Sequence, residues 1–88
     1  MFENFTFRAE TFKEGSTFVS FAPEIGVSSF GEAPEEAKES LQEAVVLFLE
    51  ECERLGNLEE VLEESGYKLI GKTWIPPKAV VEELTVGV

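Results

Sequence analysis

Eighty-eight residues make one domain with one modest core, and 43% hydrophobic with 28% charged residues is the balance of a folded globular chain. The 18 acidic residues are all Glu, set against 7 basic ones, for a net charge of −11. That field repels phosphate backbones and disfavours direct contact with nucleic acid or anionic membranes; it suits a basic partner, or serves solubility alone.

Residues Phe2 to Phe12 alternate near their centre, with Phe5, Phe7 and Ala9 on one side and Thr6, Arg8 and Glu10 on the other. Period two with aromatics and Thr predicts a half-buried strand. Lys13-Glu14-Gly15-Ser16 predicts a turn and Thr17–Ala22 a second, hairpin-paired strand ended by Pro23. Gly26 permits a bend, and Val27–Phe30 is a short third strand. Pro34 opens a long helix, with Glu35 and Glu36 complementing its dipole. Ala33 stands where a Ser, Thr, Asp or Asn cap is expected. Ala37, Leu41, Ala44, Val45, Phe48, Cys52 and Leu55 share one helical face, and Gly56 is the natural C-cap. Asn57, with Glu60 three residues on, predicts a capped second helix ending at Gly66. Tyr67–Ile70 and Thr73–Ile75 flank Gly71-Lys72 as a hairpin. Beyond Pro76-Pro77, Leu84, Val86 and Val88 alternate like a strand.

The order β-β-β-α-α-β-β predicts an α+β fold: a three-stranded antiparallel sheet on a long amphipathic helix, with a second short helix and C-terminal strands. One domain spans 1–88, with a core over 1–77 and a strand-like tail over 78–88. Phe5, Phe7, Leu41, Phe48 and Leu62 are expected to join sheet and helices, and the Phe set that also includes Phe18, Phe21 and Phe30 reads as core packing. The small size, the apolar Val46, Leu47 and Leu49 beside the main stripe, and the tail predict a homo-oligomer built through the tail or a sheet edge.

With no His in the chain, imidazole catalysis and His-ligated metals are excluded. The single Cys52 lies on the core face with no base to activate it. Without Asp, tight carboxylate metal clusters are not expected either. The chain is therefore read as a non-enzyme without cofactor or metal. The absence of a span of about 20 apolar residues and of an apolar leader predicts a cytoplasmic location. Binding residues are sought on the outer face of the long helix. Glu35, Glu39, Glu43, Glu50 and Glu53 lie within about 80° on the wheel, with Val46 in their midst. This is either a solvated face or a negative stripe with an apolar spot for a basic protein. Trp74, before Ile75-Pro76-Pro77, is either a core lid or part of a protein interface.

The run Ala22-Pro23-Glu24-Ile25-Gly26-Val27-Ser28-Ser29-Phe30-Gly31-Glu32-Ala33-Pro34-Glu35-Glu36-Ala37 resembles the PEL-G-x-x-x-x-G-x-T-x-E-E-A core of HicB-like antitoxins. Ser40-Leu41-Gln42-Glu43-Ala44 to Phe48-Leu49-Glu50 is similar to that family's N-x-x-E-A helix. Leu58 to Tyr67 and Trp74-Ile75-Pro76-Pro77 look like the extension of short, stand-alone members. The resemblance covers about residues 4–77 and departs at Ala33-Pro34, where the family has a Thr cap. It implies a β-β-β-α-β, reduced ribonuclease-H-like domain without nuclease activity, which binds and neutralises a small basic HicA-like ribonuclease toxin. The chain shows no DNA-binding domain of the kind many members carry. An orphan oligomeric HicB-like domain, with another partner and no toxin, is the alternative.

Overall fold

The computed structural model describes residues 2–87. Six strands and two helices follow in the order β1 (Asn4–Phe5), β2 (Glu10–Glu14), β3 (Thr17–Ala22), β4 (Val27–Gly31), α1 (Pro34–Leu55), α2 (Leu58–Glu64), β5 (Lys68–Ile70) and β6 (Thr73–Ile75). The fold is α+β. Strands β2, β3 and β4 form an antiparallel sheet, and β1, β6 and β5 form another in that order.

The expected first strand, Phe2–Phe12, is two strands. Asn4 and Phe5 pair in parallel with Thr73 and Trp74, whereas Glu10 to Glu14 pair antiparallel with Phe21 to Thr17. The segment between them changes partner. It is held there by Thr6 N–H donating to the Trp74 carbonyl at 3.0 Å and by the Arg8 guanidinium, which donates to the Pro77 carbonyl and to Glu24 at 2.8 Å. Gly15-Ser16 makes the two-residue turn into β3, with Gly15 at φ 65° where a side chain would be strained.

Helix α1 packs on the sheet face that carries Ser20, Ala22 and Gly31, and buries Ala37, Leu41, Val45 and Cys52. Ser20 lies in this contact, its hydroxyl 3.0 Å from that of Thr11, so the buried oxygen is partnered. The helix starts without a side-chain cap at Ala33. Glu36 reaches back to accept the Glu32 N–H at 3.0 Å. Two buried clusters form the core. Ala22, Leu41 and Val45 make one; Leu62, Tyr67 and Trp74 make the other. Phe5, Ile25 and Leu49 pack against both and join them. Tyr67 stacks on Phe5 with ring centres 4.8 Å apart.

Several expectations need correction. Phe48 is half-buried and belongs to neither cluster, although it shares the helical face of the buried Leu41 and Cys52. Leu55 is exposed in the last turn. Phe30 is 69% exposed, since it points to the sheet face away from α1. Asn57 makes no capping hydrogen bond, because its backbone (φ −121°, ψ 18°) is not the extended one a cap requires. Residues 78–87 form no strand and lie exposed, their alternating Leu84 and Val86 finding no apolar face to bury against; Val88 lies outside the described residues. Among the described residues no helix is long and apolar enough to cross a membrane.

Candidate protein-binding groove

The N-terminal segment and α1 do not close on each other. Phe2, Phe5 and Phe7 stand on one wall, and Gln42, Val45, Val46, Leu49, Glu50 and Glu53 on the other, around a groove of about 420 Å³. Its floor is apolar because the inward residues of β1 and the core edge of α1 meet there. Its rim is acidic because Glu50 and Glu53 come from the outer face of α1 and Glu3 from the residue just before β1. Val46, 53% exposed, is the apolar residue of α1 nearest the opening.

A second recess of about 860 Å³ shares Phe2 and Glu53 with the groove. Leu58, Leu69 and Trp74 line its apolar side, and Glu59, Glu60, Glu63 and Glu64 of α2 join Glu53 on its acidic side. No Lys or Arg lines either hollow. Of the ion pairs among the described residues, Arg8 with Glu24 and Arg54 with Glu51 lie elsewhere, and Lys72 with Glu3 lies on the groove rim. The guanidinium of Arg54 holds the Glu51 carboxyl below its ordinary range. Among the described residues no Lys or Arg pairs with the Glu residues of the recess.

Of the residues singled out in the sequence, Val46, Glu50 and Glu53 line the groove, and Glu53 and Trp74 line the adjoining recess. Trp74 is only 3% exposed, so it serves as the recess wall and core lid and not as a free contact surface. Glu43 falls on a shallow apolar surface with Gln42, Val46 and Leu47. Glu35 and Glu39 are exposed nearer the start of α1 and line neither hollow. Phe2, Phe5, Phe7, Gln42 and Leu49 were absent from the sequence set. Gln42 and Leu49 sit on the wheel between the core face and the acidic stripe, and that border position was the signal available.

No protein-family model, curated protein or solved structure matches the chain.

The Cys52 thiol is buried, and burial first and the Glu51 charge second push its pKa up, away from the thiolate. Among the described residues no group of three or more His, Cys, Asp or Glu is placed to hold a metal ion. An apolar floor with an acidic rim complements a segment that offers aliphatic or aromatic side chains between Lys or Arg.

Proposed function

We propose that this chain is a non-catalytic module of the cytoplasm that binds a small basic protein and holds it inactive, as a HicB-like antitoxin does with a HicA-like ribonuclease toxin. The observation that carries the reading is the groove: apolar along Phe5, Phe7, Val45 and Leu49, and acidic at Glu50 and Glu53, neither of which has an ion-pair partner among the described residues. A protein that acts on RNA must present Lys and Arg to phosphates, and a complementary acidic surface covers them without chemistry. The strand arrangement supports the finer fold reading. A parallel β1–β6 pairing beside an antiparallel β2–β3–β4 sheet backed by α1 is compatible with a reduced ribonuclease-H-like β-β-β-α-β domain, with α2 and β5 inserted before the last strand.

The test is co-expression with the small basic protein encoded beside it. Growth arrest by that protein alone, relieved by this chain and not by its Glu50→Lys/Glu53→Lys form, is the expected result. If the neighbour is harmless, or remains toxic in an excess of this chain, the orphan-module reading replaces the antitoxin one. The exposed apolar residues of the open sheet and of residues 78–87 favour that second reading, because they suit association with further copies.

A further inference from the structure

The face of the β2–β3–β4 sheet opposite α1 is bare and aromatic. Register places Phe12, Val19 and Phe30 side by side across the three strands, and Glu10, Phe21 and Ser28 in the next row on the same face. Phe12 is 47% and Phe30 69% exposed. Within the three strands the charges on this face are Glu10 and Glu14 of β2; Ser28 and Phe30 of β4 are uncharged, and Glu32 follows just past the end of β4. A basic partner would therefore gain little here. A second copy of this acidic chain would gain much, provided that the two β2 edges are kept apart.

We propose that this face is the interface between two copies of the chain, packed sheet against sheet about a two-fold axis parallel to the strands. That axis lays β2 of one copy over β4 of the other. Phe12 then meets the partner's Phe30 twice, Val19 meets its own copy, and Glu10 falls over Ser28 and not over another carboxylate. The row aromatic–β-branched–aromatic reads the same from either edge, which is what an isologous contact requires. The groove between β1 and α1 lies on the far side of the sheet and stays open in such a dimer, so this inference does not rest on the proposed function.

Sedimentation of the whole chain at tens of micromolar tests the assembly. Twice the 9.8 kDa chain mass is expected, and a monomer overturns the proposal. Phe30→Glu and Phe12→Lys, both at exposed positions, should each weaken the dimer about a hundredfold, since each change occurs twice in the assembly. Mixed together, the two variant chains should associate again, because the axis sets the changed residues against each other with opposite charge. Either variant remaining dimeric alone, or no association on mixing, refutes the arrangement. Phe30→Ser, read by the same loss of dimer, replaces either variant that loses its helical circular dichroism. A monomeric wild type whose Phe30→Glu form fails to hold the basic partner would assign the face to that partner instead.

Discussion

Tyr67 carries the sharpest residue-scale consequence. Its hydroxyl is buried without a hydrogen-bond partner, and its pKa is pushed up from 10.0 to about 12. Burial is the first cause and the Glu24 carboxylate the second, with Arg8 opposing both. Between those pH values the folded chain keeps a proton that the unfolded chain has released. Stability is therefore intact below pH 10 and falls as pH rises toward 12, by about 2–3 kcal/mol in all. Urea unfolding at about pH 9 and about pH 11 should show this loss in the wild type and its absence in Tyr67→Phe, which also sheds an unsatisfied hydroxyl. A second contrast separates Leu41 from Phe48. Leu41 is 1% exposed and within the first cluster, so Leu41→Ala should cost about 2–5 kcal/mol. Phe48 is half-buried, and Phe48→Ala should cost about 1–2 kcal/mol in the same urea titration.

At the scale of elements, the junction of β4 and α1 is the tightest. A Cβ at Gly31 would stand 2.7 Å from the Ala37 nitrogen and 2.9 Å from the Glu36 carbonyl carbon, both backbone atoms of α1. Helix and strand would have to part, so Gly31→Ala should cost about 1–3 kcal/mol in thermal unfolding. Ala33→Ser two residues on should gain about 1 kcal/mol, because Ala33 already has the extended backbone of a cap and lacks only the oxygen. The helix bounds were legible because Pro34, Gly56 and the period of Ala37, Leu41 and Val45 are local signals. The division of the first strand was not. Alternation from Phe5 to Phe12 is the same whether the pairing partner is β3 or β6, and the partner of β1 comes from the other end of the chain. Phe30 misled for a related reason. An aromatic in a strand signals apolar packing, but not which face of the sheet the helix covers.

For the whole molecule, the net charge of −11 and the placement of Glu50, Glu53 and the α2 glutamates make the groove an electrostatic target. Association with a basic partner should be fast at low salt and slow as ionic strength approaches about 0.15 M, where the Debye length falls to about 8 Å. Stopped-flow rates should drop for Glu50→Lys/Glu53→Lys far more than for Glu35→Lys/Glu39→Lys, with little change in thermal stability from either pair, because exposed charges contribute little to folding. The acidic stripe and Val46 were legible as a face of α1; the wall opposite was not, since nothing in Phe2 to Phe7 says that it stands beside α1 without closing on it. The same segment has a temporal consequence. Arg8 and Pro77 are 69 residues apart, and β1 pairs only with β6. Closing a loop of that length carries the larger entropic cost, so the hairpin and α1 are expected to form before β1 docks as a clasp, an order that amide exchange during refolding would read. On the ribosome Phe2 and Phe5 emerge well before Trp74, the residue that Phe5 pairs with. Until Trp74 has been synthesised, Phe2 and Phe5 are open to chaperones and proteases.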